Sequence, residues 1–282
     1  MNYANRHEIL KQIAKYIVGL QKYKNRTVKY SNSDTELERA KSLMRIITPH
    51  NVTNVSKVRL GGNEDGGYVM LDPGINGIAY SFGVSTYAPW DMDMAKRGFR
   101  VIQYDGTVPY APERHPNIVF FRNNITAVDP SEPGCKNIRQ IFEENQHQNE
   151  HDIILQIDIE GAEWDFFANI TDEQIMKFKQ IIVELHKVFP DSPDYEKFIR
   201  VLNKINKTHQ SVHVHGNNHG IITFFQNELF VLPQSLEVTY ARKGKPEDGL
   251  LFTESTEYYP TQLDRPNNNN YPDIPLGIFS NL

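Results

Sequence analysis

Apolar residues recur at two spacings along this chain, and the change from one to the other divides it. In the first fifty residues Ile9, Ile13, Ile17 and Leu20 follow at intervals of three or four, with lysines between them, as on one face of a helix. A second helix is predicted over 33–47, capped by Ser33 or Asp34, with Leu37, Leu43 and Ile46 near one stripe. From Lys57 short apolar runs alternate with polar helical stretches. Strands are predicted at 78–82, 100–104, 118–121, 152–157 and 180–185, and two more near 211–215 and 237–242. Helices are predicted over 89–98, 137–144, 162–168 and 195–206. This alternation predicts a doubly wound α/β fold: a mainly parallel, seven-stranded sheet covered on both faces, with an N-terminal helical extension. The division expected is a helical arm over 1–50 and a main domain over 51–282. The arm packs on the domain or on a second subunit, which would make a homo-oligomer. Four asparagines, Asn267 to Asn270, flanked by Pro266 and Pro272, read as a loop or a tail laid over the surface.

Composition narrows the partners. Apolar residues make up 39% of the 282 and charged residues 23%, enough for a packed core. A net charge of -5 leaves no basic excess to neutralise a nucleic-acid backbone, so no nucleic-acid partner is expected. The single Cys135 excludes an internal disulfide and a cysteine zinc site, and suits a reducing, cytoplasmic location. No apolar run approaches the roughly 20 residues that span a bilayer. The N-terminus lacks the apolar core and cleavage site of a signal peptide. Its basic helix lacks the Trp and Phe anchors that hold a helix on a membrane surface, so no stable insertion is expected.

In a sheet of this kind ligands bind at the carboxyl ends of the strands. The first of these strands ends in Ser81-Phe82-Gly83-Val84-Ser85, where a glycine lets a ligand approach the backbone. The next ends in Asp105, about 20 positions on, the spacing of a carboxylate that holds ribose hydroxyls. There is no G-x-G-x-x-G and no phosphate cradle, which argues against a dinucleotide or a nucleoside triphosphate. The fourth strand ends in Asp158-Ile159-Glu160-Gly161-Ala162-Glu163. Carboxylates this close repel one another unless a cation or a donor lies between them. A divalent cation such as Mg²⁺ takes oxygen ligands of this kind, and Asp158, Glu160 and Glu184 are the candidates; the alternative is that Glu163 caps the next helix. Glu184 and His186 share one face of the fifth strand, and His186 is a candidate general base or a satisfied polar group. His213 and His215 also share a face, as a transition-metal pair or as part of a polar loop lining the pocket with Asn217 and Asn218. The run Arg59-Leu60-Gly61-Gly62-Asn63-Glu64-Asp65-Gly66-Gly67-Tyr68-Val69-Met70 reads as a hairpin or as a lid.

Taken together these segments resemble a known family, the FkbM-type methyltransferases, in the subgroup bearing an Asp-Gly-Gly-Tyr-Val segment. The pieces are Asp65-Gly66-Gly67-Tyr68-Val69, Ser81-Phe82-Gly83-Val84, Tyr104-Asp105-Gly106-Thr107, Leu155 to Glu163, and Val214-His215-Gly216-Asn217-Asn218, in the expected order from Val58 to Arg242. The resemblance implies a class I, Rossmann-like methyltransferase fold, S-adenosylmethionine as cofactor, and O-methylation, often of a sugar. It implies cofactor contacts at Gly67, Tyr68, Ser81, Phe82, Gly83, Asp105 and Asp158, with Gly83 under the cofactor, Asp105 on its ribose and Asp158 beside the transferred methyl. One departure is visible: the family's acidic residue at the end of the first strand is replaced here by Ser81-Phe82, which leaves the cofactor's amino-acid end without an assigned partner. A hydroxyl acceptor needs a base, expected to be His186 or Asp158. His215, with Asn217 and Asn218, completes the catalytic expectation and suits a polyhydroxylated substrate such as a nucleotide-linked sugar in polysaccharide biosynthesis. Two other classes compete: a nicotinamide-dependent nucleotide-sugar enzyme, and a non-catalytic scaffold binding a partner through its N-terminal helices.

Overall fold

A computed structural model describes residues 11, 13–17, 27–130, 133–244, 249–277 and 279. Ile9 and Leu20 of the first predicted helix lie outside them; residues 13–17 are helical, and Ile13 and Ile17 are buried. Eight strands form one sheet, in the order β7 (Ile118–Phe121), β6 (Phe99–Tyr104), β5 (Gly77–Phe82), β10 (Ile153–Ile157), β11 (Phe178–Leu185), β13 (Phe230–Arg242), β12 (His209–Phe225), β1 (Val28–Ser31). All neighbours run parallel except β13, which is antiparallel to both β11 and β12; outside this sheet β2 (His50–Val52) pairs with β14 (Phe252–Glu254), and β8 (Asn124–Ile125) with β9 (Cys135–Lys136). The expectation of seven strands is therefore corrected to a mixed sheet of eight. The direction of β13 follows from its connection. Residues 226–229 alone join it to β12, too short a crossover for a parallel partner. The eighth strand comes from the stretch read as a helical arm: β1 pairs with the far half of β12, from Val28 opposite Ile222 to Ser31 opposite Phe225.

Side chains alternate between two cores, as the two-residue period of a strand requires. Ala79, Val101, Ile154 and Ile182 face a cluster with Trp90, Met94 and Met70. That face is covered by α2 (Pro89–Lys96) and by the hairpin of β3 (Lys57–Leu60) and β4 (Tyr68–Leu71). Tyr80, Phe82, Leu155, Ile157, Ile181 and Val183 face the larger cluster. There they meet α1 (Asp34–Ile46), α3 (Ile138–Glu144), α4 (Glu163–Asn169) and α6 (Tyr195–Thr208). Ser33 caps α1 by accepting from the Glu36 N–H. Leu37, Ala40, Leu43 and Met44 of α1 belong to this same core. None of the helices among the described residues is long and apolar enough to cross a membrane.

The start of β12 supplies a pH-dependent contribution. His209 is buried, with its Nε2 2.8 Å from the Phe178 carbonyl oxygen and its Nδ1 2.9 Å from the Thr208 hydroxyl. Burial pushes its pKa down to about 4, against the bond to Phe178. The unfolded chain takes up a proton near the ordinary histidine value of about 6.5, while the folded chain does not. Stability present above that pH is lost as the pH falls from about 6.5 toward the folded value, by roughly 3 kcal/mol. Chemical denaturation at pH 7.5 and pH 4.5 should show a larger loss for the wild type than for His209→Gln; equal losses would contradict it.

Candidate active site

The site begins where β5, β6 and β10 end. Sheet hydrogen bonds run past the strand ends: the Gly83 N–H donates to the Tyr104 carbonyl at 3.0 Å, and the Asp158 N–H to the Phe82 carbonyl at 2.9 Å. These bonds hold Gly83, Asp105 and Asp158 side by side. Gly83 has φ +82, and a Cβ there would lie 1.7 Å from the Asp158 carbonyl oxygen. Only glycine permits so close an approach. Two cavities open on either side of this point and share Gly83, Ser85 and Asp158. One, of about 350 Å³, is lined by Asp105, Thr107, Asn123, Asn124, Ile159 and Glu160 among others. The other, of about 270 Å³, is lined by Asp65, Tyr68, Thr86, Tyr87, Trp90, Asp91 and Gln156.

Asp105 fastens the turn beside the first cavity. One carboxylate oxygen accepts from the Val84 and Ser85 N–H groups at 2.9 and 3.0 Å. The other accepts from the Thr107 N–H and hydroxyl at 2.6 and 2.5 Å. Burial works against its charge, but the bonds from Thr107, Ser85 and Val84 outweigh it and hold the carboxyl below its usual range. The hydroxyl of Ser81 donates to the Gln156 Oε1 at 2.9 Å, and the Gln156 amide donates to the Tyr68 hydroxyl at 3.3 Å. Tyr68 and Gln156 line the second cavity; Ser81 lies beneath it. Phe82 points away, into the core, where its ring meets those of Tyr80, Tyr104 and Phe166. The hairpin reading of 59–70 holds, since β3 and β4 pair antiparallel, and the tip also borders the cavity through Asp65 and Gly66. Gly67 is packed under that tip: a Cβ on it would meet Arg59 Nη2 and the Gly62 carbonyl at 2.8 Å.

Four carboxylates surround His186. Its Nδ1 lies 3.0 Å from Glu163, and its Nε2 lies 3.4 Å from Glu184, 3.6 Å from Asp158 and 3.7 Å from Glu160. Glu163 is held in turn by the Ile159 N–H at 2.8 Å. Burial disfavours a charged imidazole at His186, but Glu163, Asp158 and Glu160 outweigh it and raise its pKa. Burial pushes the Asp158 carboxyl up to about 7, opposed by His186 and reinforced by Glu163 and Glu160. Its Oδ1 is buried without a hydrogen-bond partner. Glu184 is also raised, well above the usual carboxylate range, by burial and by Asp158, Glu237 and Asp65. Two triads could each hold a cation, with ligand atoms all within 4.8 Å: Asp158, Glu160 and His186, and Asp65, Glu184 and Glu237. The three residues expected to share one ion are thus split, with Glu184 in the adjoining set.

The 213–219 stretch is not a loop. It is the middle of β12, with a register shift between Asn217 and Ile222 where the polar residues are absorbed. His213 bonds Asp264 at 2.8 Å. His215 lies between Glu237 at 2.8 Å and Asp273 at 2.9 Å, so both ring nitrogens are engaged away from the cavities. Asn217 donates to Glu184 at 2.7 Å. The asparagine run, expected on the surface, is knitted into this network. Buried Asn267 donates to Asp65 at 2.9 Å and to Glu237. The side-chain amide of Asn218 donates to the carbonyls of Asn268, Tyr271 and Pro272, and its oxygen accepts from the Asn268 N–H at 2.7 Å. Asn218→Ala leaves these buried groups unpaired, and should cost about 1–3 kcal/mol of stability in urea denaturation; an unchanged midpoint would contradict the tail's role. Asp91, Glu237 and Asn267 were not singled out from the sequence. Asp91 could have been found from its place just after the glycine turn.

No curated protein matches the chain. One solved structure, from Listeria monocytogenes and assigned as an S-adenosylmethionine dependent methyltransferase, is 12% identical and covers 62% of this chain and 95% of its own, with a TM-score of 0.38. A family model described as the methyltransferase FkbM domain matches residues 46–210. That match spans more than half of the chain and takes in every strand end from Gly83 to His186. The chain therefore belongs to the methyltransferase FkbM domain family and is an S-adenosylmethionine-dependent methyltransferase.

Proposed function

We propose that the acceptor is a hydroxyl group of a carbohydrate or nucleotide-linked sugar, methylated in surface polysaccharide or other glycan biosynthesis. The observation that carries this is Asp158: a carboxyl at the junction of both cavities, with a buried oxygen that has no partner and a pKa pushed up to about 7. A group of that basicity suits proton transfer near neutral pH. The residues fit the cofactor: an extended ligand can straddle Gly83, where no side chain intrudes, with Asp105 and Asn124 lining one side and Asp65 and Asp91 the other. When bound, it supplies an electrophilic methyl group on a sulfonium sulfur. An alcohol is a weak nucleophile, so the protein must take its proton as the carbon–oxygen bond forms. Asp158 takes that proton on its other, accessible carboxylate oxygen, since Oδ1 is buried toward His186. His186, fixed through Nδ1 by Glu163, positions Asp158 and balances the charge of the cluster. His215, with both ring nitrogens bonded to carboxylates, positions Glu237 and the tail rather than moving a proton. Polar side chains that line the two cavities, Asp65, Asn123, Asn124 and Glu160, suit hydrogen bonds to several hydroxyls.

The Asp158, Glu160 and His186 set would also accept a divalent cation, which would lower the pKa of a coordinated alcohol. Methyl transfer to a panel of free and nucleotide-linked sugars, with and without chelator, tests the proposal. A product methylated on oxygen is expected. Transfer only to amines or carboxylates, or to none of the panel, would overturn it. Loss of activity with chelator, restored by Mg²⁺, would assign the cation.

A further inference from the structure

The end of β5, Ser81-Phe82-Gly83, carries no carboxylate, and one from another element reaches over it. Asp91 is the third residue of α2, 3% exposed, and lines the 270 Å³ cavity next to Thr86, Tyr87 and Asp158. Its Oδ1 accepts from the Gln103 amide at 2.9 Å. Gln103 sits opposite Ser81 in the β5–β6 register, so Asp91 is held directly over the strand end where the acid is missing. No lysine, arginine or histidine lines this cavity, while three aspartates do: Asp65, Asp91 and Asp158. Among the described residues no cation forms an ion pair with Asp91, and burial pushes its carboxyl up to about 6 against the bond from Gln103. A buried carboxylate with no cation is costly, and the N-terminal turn of a helix of eight residues offsets only part of that. A positively charged ligand would supply the rest of the balance.

We propose that Asp91 is the binding partner of the α-ammonium group at the cofactor's amino-acid end, replacing from helix α2 the carboxylate absent from strand β5. This rests on the cofactor occupying the cleft around Gly83. A charge-assisted bond there is stronger than one between neutral groups, so Asp91 discriminates for the amino-acid end and is neutral toward the nucleoside. The competing role is a brace for Gln103 alone. Asp91→Asn separates the two, because an asparagine oxygen still accepts from Gln103 but carries no charge.

The test is calorimetric titration of the full chain with S-adenosylhomocysteine, which carries the ammonium group, and with 5′-methylthioadenosine, which lacks the amino-acid end. Asp91→Asn should weaken the first by about 10- to 100-fold, as expected for a hydrogen bond to a charged group. It should leave the second within about twofold, the range of a contact not made. Equal weakening of both, or of neither, overturns the role of Asp91 while the cofactor site stands. A wild type that binds neither ligand overturns the cofactor site itself, and the role with it. Should the variant fold poorly, wild-type protein alone decides: S-adenosylhomocysteine deprived of its α-amino group should bind at least 10-fold more weakly than the parent, and equal affinity overturns the proposal.

Discussion

Gly83→Ala should abolish cofactor binding and destabilise the fold. A methyl group at this position would lie 1.7 Å from the Asp158 carbonyl oxygen and 2.8 Å from its carbonyl carbon, and both are backbone atoms that no rotamer change can move. The residue also sits at φ +82, where an L side chain is strained. Relief requires β5 and β10 to separate at their ends, breaking the bond from the Asp158 N–H to the Phe82 carbonyl and shifting Asp158 away from the shared wall of the two cavities. The expected cost is roughly 2–4 kcal/mol of stability, in line with other substitutions that force a strained backbone and a steric overlap. Affinity for S-adenosylhomocysteine should fall by at least about 100-fold, equivalent to roughly 2.7 kcal/mol. Denaturation and ligand titration of the variant measure both. An alanine variant with wild-type affinity would show that the cleft at Gly83 is not the cofactor site.

Asp158→Asn should remove turnover and spare the cofactor. The amide keeps the shape of the side chain and its contact with His186 but can no longer take a proton. Loss of a general base costs typically about 10²- to 10⁴-fold in rate, and that loss should appear in kcat, with cofactor affinity changed by no more than a few-fold. Asp105→Ala should behave in the opposite sense. It frees the Val84, Ser85 and Thr107 N–H groups that shape the turn, so cofactor binding weakens more than the chemical step. Initial rates and cofactor titrations on the two variants distinguish them. Equal activity in both, or a cofactor-binding defect confined to Asp158→Asn, would sink the assignment of roles.

The parts of the site legible in the sequence are those on the parallel strands. Gly83, Asp105, Asp158 and His186 each stand at or just past the end of an apolar run, and a parallel sheet carries such residues to one edge. The strands were visible because both of their faces are buried, which writes them as nearly continuous apolar segments. The middle of β12 carries Gly216, Asn217, Asn218 and His219, which by local pattern reads as a loop. Its polar groups are satisfied by partners far away in the chain: Glu184 for Asn217, and the segment 268–272 for Asn218. Local pattern carries no trace of such pairings. The same holds for β1, whose place at the sheet edge depends on the length of β12, and for the asparagine run, whose low complexity hides its bonds to Asp65 and Glu64. Asp91 escaped for another reason. It lies on a helix, and the family's pattern directs attention to the strand end that it reaches over.

The site proposed for the cofactor is the cleft formed by the ends of β5, β6 and β10. Hydrogen–deuterium exchange of the full chain with and without S-adenosylhomocysteine tests it most directly. Protection should concentrate at 83–91, 105–107 and 158–160. Absence of any ligand-dependent protection, or protection confined to other surfaces such as the side of α6 that carries Lys197, Arg200, Lys204 and Lys207, would contradict it.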